Sequence, residues 1–287
     1  MTQLMSTEPM AQLTPGLGMG LPRAEGWLPL MEQPLLILVG VTGVGKSTVT
    51  QALAQAGLAF SLLANRRALT DLFIIPTIVR MDARIARNHP SCRVERFYYT
   101  RRYKELFPAG MVHVLSQLQI HPLYVRSPII FDGLRGEQEA TYAVKLLPQA
   151  RFIILEAPDY IRLQRLLIRN DAFDRVAKSH GPSADLQGRH NKDLIDLDVP
   201  EALSLFSSDE IAEMLADVEQ GLYSLSDLRD RLKIVAEERR HYDPDATRST
   251  LEALAPDRTL AIDTTRDCPE RTAQKIVQFL ASDVQST

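Results

Sequence analysis

The sequence predicts an α/β fold in three layers, a parallel sheet with helices on both faces, and three observations point there. Short apolar runs recur at residues 35–39, 128–132, 151–155 and 259–263, as expected of strands buried on both faces. A segment with helical signals follows each of the four, at 47–56, 137–147, 160–170 and 269–280. Strand and helix therefore alternate, which favours parallel strands joined by helical crossovers. With 287 residues, 45% of them hydrophobic, the chain can bury a core of that size.

The elements read as follows in chain order. Residues 1–33 mix Met, Gly, Pro and polar residues without periodicity and are expected to be a disordered tail. Met31 stands just before the first strand and is a candidate start. A single domain is expected over 34–282, with a short tail at 283–287. Residues 58–63 read as a strand, and 109–118 as a helix ending before Pro122. Residues 171–199 are polar and read as a mobile loop. Ser207 and Glu210 form a capping-box pattern ahead of the apolar stripe Ile211, Met214, Leu215 and Val218. Leu225, Leu228, Leu232 and Val235 repeat that stripe on a second helix. Together these helices make an expected helical insertion at about 200–245. The sequence contains no internal repeat.

Net charge is −3, so no global basic field marks a nucleic-acid binder. Residues 60–104, however, hold ten Lys/Arg against three acids, +7, which leaves −10 for the rest. Cys92 and Cys268 match no metal spacing and suit free thiols in a reducing, cytoplasmic compartment. No apolar run reaches the roughly 18 residues that span a bilayer, and the N-terminus has no signal-peptide pattern. No membrane partner is expected.

The first strand runs into Gly40-Val41-Thr42-Gly43-Val44-Gly45-Lys46-Ser47, a complete G-x-x-x-x-G-K-[ST] pattern between an apolar strand and a helix. Its glycines let the backbone curl so that N–H groups converge on one anion. The helix beginning there, with Thr48 in its first turn, turns its positive dipole end to the same place. Lys46 would reach the β- and γ-phosphates of a nucleoside triphosphate, and Ser47 would offer its hydroxyl to Mg²⁺. The pattern thus calls for ATP, with GTP open, and magnesium. Asp132 ends the next apolar run, where a metal-organising carboxylate belongs; it would hold magnesium, directly or through water, or accept a proton. A plain helix-capping role for Asp132 stays open.

With Asp132-Gly133-Leu134-Arg135, the chain resembles the P-loop kinases of the nucleotide-kinase and dephospho-coenzyme-A-kinase group. The adenylate-kinase relatives carry Asp-Gly-aromatic-Pro-Arg after this strand; here the proline is missing and the arginine stands one residue nearer the aspartate. The resemblance implies a P-loop NTPase fold and a phosphate contact for Arg135. It covers roughly 34–175 and 255–282, while the helical stretch near 200–245, with Glu237-Glu238-Arg239-Arg240, departs from the small kinases.

Arg162, Arg165 and Arg169 fall at i, i+3 and i+7, on one helix face. Their mutual repulsion would be relieved by a polyphosphate or by acids such as Glu156. The resemblance implies lid arginines here, so Arg165 and Arg169 are catalytic candidates. It also places Thr265 and Arg266 along the nucleotide base, an ordinary connecting loop being the alternative. Between the first helix and the Asp132 strand this group binds its phosphate acceptor, which makes Arg66, Arg67, Arg96, Arg101 and Arg102 acceptor candidates. Guanidiniums pair with phosphate, and the neighbouring tyrosines can stack on a base. Single-stranded nucleic acid or a solvated basic surface would use the same residues. Asn191-Lys192-Asp193 resembles a guanine-reading motif but lacks the preceding buried strand. The six histidines show no ligand spacing, and no structural zinc is expected.

The expected function is a Mg²⁺- and ATP-dependent kinase acting on a nucleotide, nucleoside or coenzyme-A-like acceptor, with Lys46, Asp132, Arg135, Arg165 and Arg169 as its catalytic set. The alternatives are a P-loop ATPase that regulates binding of nucleic acid or a protein partner, and a group transferase, such as a tRNA-modifying enzyme, on the same fold.

Overall fold

The computed structural model describes residues 11–20, 25–81, 93–169 and 204–282. Their contacts form two compact units. The first comprises Met1–Gly40, Gly45–Glu156 and Pro244–Thr287, the second Val41–Val44 and Ala157–Asp243. A single domain over 34–282 was expected; the second unit separates because its helices close around an apolar core of their own.

In the first unit the chain runs β1 (Ala11–Thr14), β2 (Leu17–Met19), β3 (Leu28–Pro29), β4 (Leu35–Val39), α1 (Lys46–Gln55), β5 (Ser61–Leu62), α2 (Arg66–Leu69), α3 (Ile75–Met81), α4 (Arg93–Leu106), α5 (Met111–Gln117), β6 (Leu118–Ile120), β7 (Ile129–Leu134), α6 (Glu137–Leu146) and β8 (Ala150–Glu156). The second unit holds α7 (Asp159–Arg169), α8 (Ser208–Glu219) and α9 (Leu225–His241). The first resumes with α10 (Pro244–Leu254), β9 (Thr259–Asp263) and α11 (Pro269–Ala281).

The main sheet has the order β5-β7-β4-β8-β9, parallel throughout, as the apolar runs predict. All five residues of central β4 are buried, which is why that run carries no polar alternation. From β4 the chain goes to β5 and β7 on one side, then to β8 and β9 on the other. In such sheets ligands bind beyond the carboxyl ends of the strands, where the order reverses. Helix α1 packs on α11, and α6 on α10. Helix α10 has no counterpart in the sequence reading, although Pro244 at its first position is a starting signal.

The disordered tail expected over 1–33 is overturned for the described part. Strands β1, β2 and β3 join β6 in an antiparallel sheet ordered β1-β2-β6-β3. Each of these strands is two to four residues long, too short to show a period, and the pairing partner lies about a hundred residues away. Accordingly the helix expected over 109–118 ends at Gln117, and Leu118 opens β6. The strand expected over 58–63 shrinks to Ser61–Leu62.

In the second unit Leu163 and Leu166 pack with Met214, Leu228, Leu232 and Val235, all nearly inaccessible. Burial of each such side chain contributes about 1.5–3 kcal/mol. Helix α8 starts with the expected capping box, the Ser207 hydroxyl facing the Glu210 N–H and the Glu210 carboxylate facing the Ser207 N–H. The loop expected at 171–199, including Asn191-Lys192-Asp193, lies outside the described residues.

Candidate functional site

Strand β4 gives way to Gly40, and α1 starts at Lys46 with Gly45 as its N-cap at φ 98°. That backbone is left-handed and favours glycine. Gly43, at φ 87°, has a second reason: a Cβ there would lie 2.9 Å from the carbonyl oxygen of Arg162. A left-handed turn at the start of a ten-residue helix presents successive N–H groups and a positive dipole end, the arrangement that holds phosphate. Lys46 folds its ammonium back to the carbonyl of Gly40 at 2.9 Å. Ser47 and Thr48 follow, both exposed. Within this loop Gly40 and Gly45 onward belong to the first unit, and Val41–Val44 cluster with the second.

Asp132 lies in an irregularity of β7. Ile37 of β4 pairs with Phe131 and Val39 with Leu134, so β7 takes one extra residue at Asp132-Gly133. Bulges of this kind re-aim side chains beside functional sites. Burial pushes the Asp132 carboxyl up; the charges of Lys46 and then Arg135 pull it down, and the result stays raised. Lys46, Asp132 and Arg135 therefore share one electrostatic neighbourhood.

Behind that bulge sits Glu139 of α6, fully buried. Arg66 donates to both its oxygens at 2.7 and 2.8 Å and also to the carbonyl of Gly133 at 2.7 Å. Lys104 stands 3.3 Å away, and the N–H groups of Met111 and Arg135 donate at 3.4 and 3.2 Å. Glu139 thus ties down the segment carrying Asp132 and Arg135. Burial would raise its pKa, but Arg66, Lys104 and the Met111 N–H outweigh that and hold it at about 2. The folded value lies below the ordinary value, so this stabilisation is complete above about pH 4.5 and is lost as pH falls towards 2. Acid titration followed by circular dichroism should show stability declining across that window, and more shallowly in Glu139→Gln.

In the second unit the arginine face divides. Arg162 is 1% exposed and pairs with Asp159 and with Glu238 of α9. Arg165 is half-buried, with the carbonyl of Gly43 at 3.4 Å, and Arg169 is exposed at the end of α7. Asp159 and Glu238, not Glu156, are the acids that relieve the repulsion at Arg162; Glu156 pairs with Arg248 at 2.7 Å.

Beyond β9, Thr265 turns its N–H and hydroxyl to Asp263, and exposed Arg266 pairs with the same carboxylate at 3.1 Å. Among the acceptor candidates Arg66 is engaged by Glu139, Arg96 by Asp71 at 2.8 Å and Arg102 by Glu105 at 2.6 Å, while Arg67 and Arg101 are exposed.

Residues 36–177 match a family model described as AAA domain. That match takes in just under half of the chain. Two solved structures are similar at low identity. A sugar kinase from Janibacter sp. HTCC2649 is 16% identical, covering 86% of this chain and 94% of its own, at a TM-score of 0.34. A sulfotransferase from Alicyclobacillus acidocaldarius is 14% identical, covering 86% and 81%, at 0.36. At those TM-scores neither likeness bears on the reaction. Comparison with curated proteins gives no match. The AAA match takes in the phosphate loop, Asp132 and α7 but stops short of α8 and α9.

Two residues of this neighbourhood escaped sequence reasoning. Glu139 did leave a signal, a carboxylate on the same buried stripe of α6 as Ala140 and Ala143. Glu238 left none, since its partners lie 76 and 196 residues away. No cluster of three or more His, Cys, Asp or Glu among the described residues could hold a metal. Magnesium needs none where phosphate oxygens and water complete its shell, and the Ser47 hydroxyl and Asp132 carboxylate are the hard oxygen donors it takes. No described helix is long and apolar enough to cross a membrane.

Proposed function

We propose that this protein is a magnesium-dependent phosphotransferase that moves the γ-phosphoryl group of ATP to a small acceptor of nucleotide, nucleoside or coenzyme-A-like type. One observation carries the reading: at the carboxyl ends of adjacent strands, the phosphate loop's Lys46 and the bulged Asp132 act on each other electrostatically. The loop amides and the Lys46 ammonium would bind the β- and γ-phosphates. Ser47, with Asp132 directly or through water, would hold magnesium, which when bound neutralises charge on those phosphates. As the acceptor oxygen bonds to the γ-phosphorus, the bond to the β,γ-bridging oxygen breaks and ADP leaves. Where Asp132 does not itself ligate the metal, it is the proposed acceptor of the hydroxyl proton. Arg135, Arg165 and Arg169 are proposed as the cations of the transferring group, and Thr265 and Arg266 as base contacts. Arg67, Arg101 and Arg102 are the exposed members of the acceptor set, to which Arg66 and Arg96 also belong.

The test is incubation of the purified protein with γ-labelled ATP, magnesium and a pooled metabolite extract. Label appearing in one small acceptor, with saturation, is the expected result. Label released only as phosphate sinks the kinase reading in favour of hydrolysis. In that case, nucleic-acid affinity falling steeply with salt would point to the basic segment gripping a polymer.

A further inference from the structure

Thr42, near the apex of the phosphate loop, is held by two buried ions of the second unit. Its main-chain N–H donates to the Glu238 carboxylate at 3.0 Å, and its hydroxyl donates at 2.5 Å. Its carbonyl accepts from Arg162 Nε at 2.8 Å. Arg162 and Glu238 pair with each other at 2.5 Å, 1% and 2% exposed. Every polar group of Thr42 is thus engaged by one ion pair supplied by α7 and α9. One turn along α7, Arg165 reaches the next carbonyl, that of Gly43.

A buried ion pair is weak support for stability, because desolvation offsets most of its attraction. Its placement suggests another use. An anion-binding loop must present N–H groups to its ligand and keep carbonyl oxygens turned away, since a carbonyl dipole aimed at phosphate repels it. Arg162 and Arg165 hold the two carbonyls at this point, and Glu238 fixes the preceding Val41–Thr42 peptide through the Thr42 N–H and also holds the Thr42 hydroxyl. Arg162 and Arg239 together balance Glu238 and Asp159, so the clamp brings no net negative charge to a loop that binds anions.

We propose that Glu238 is a positioning residue of the phosphate loop, acting with Arg162 through Thr42 to set the peptide orientation in which the loop accepts a triphosphate. This rests on the triphosphate-binding reading of the loop. A merely structural α7–α9 ion pair would have no need of the Thr42 hydroxyl.

Calorimetric titration with MgATP, beside thermal melts of ligand-free protein, separates the two roles. Thr42→Val leaves the ion pair in place and removes one hydrogen bond to a charged acceptor, so affinity should fall roughly tenfold with little change in melting. Thr42→Ser should restore it. Glu238→Gln should bind at least as weakly as Thr42→Val, and the double variant no more weakly than Glu238→Gln alone. Glu237→Gln, exposed one residue away on α9, should bind as the wild type does. Wild-type affinity in Thr42→Val, or equal loss in Thr42→Ser, overturns the proposal; should Glu238→Gln fail to fold, the Thr42 pair decides. If the wild type binds, Lys46→Ala does not and Thr42→Val is unaffected, positioning alone fails. If the wild type does not bind MgATP, the reading of the loop fails and takes the proposal with it.

Discussion

Lys46→Ala is expected to lower MgATP turnover by about 10²–10³-fold, the usual cost of removing one preorganised charge at a site of developing charge. The side chain is half-buried at the first position of α1 and donates to the Gly40 carbonyl; alanine suits a helix at that position, so the fold should tolerate the change. Initial rates and a melting curve on the same preparation check both halves. An active variant would remove Lys46 from the site. Lys46→Arg should not rescue fully, because a planar guanidinium cannot replace a compact ammonium at that position.

Glu139→Ala is expected to destabilise the first unit by about 3–5 kcal/mol, the range for breaking a buried pair by removing one partner. Truncation takes the carboxylate from Arg66, which is 17% exposed, from Lys104 and from two main-chain N–H groups. A urea midpoint unchanged from the wild type would refute the estimate. Because Arg66 also holds the Gly133 carbonyl, the segment bearing Asp132 should loosen with it. A fall in kcat of Glu139→Gln at temperatures where that variant remains folded would report the loosening.

The parallel sheet was legible because its inner strands β7, β4 and β8 are buried almost throughout and need no partner's pattern to be recognised. The strand at 259–263 has the expected bounds, and the strand–loop–helix course around Gly40–Ser47 was readable because its signals are local: glycines, a lysine and a helix start within eight positions. What escaped is non-local. Arg162 looks in sequence like one third of a basic stripe; Asp159 is its neighbour one turn back, but only the fold brings Glu238 and the Thr42 carbonyl to it. The run Glu237-Glu238-Arg239-Arg240 reads as a solvated face, yet Glu238 is buried while Glu237 and Arg240 pair at the surface. Arg66 was placed among the acceptor candidates for its charge, and the structure gives it a carboxylate inside its own unit.

The small antiparallel sheet changes how the leading residues should be regarded. Leu118, Gln119 and Ile120 are buried, with β2 against one side of the strand and β3 against the other. A recombinant chain begun at Met31 would strip both neighbours at once, leaving a greasy ribbon with two naked hydrogen-bonding margins. Such margins recruit other chains. Shortening that end is therefore a route to sticky, self-associating material rather than a harmless trim.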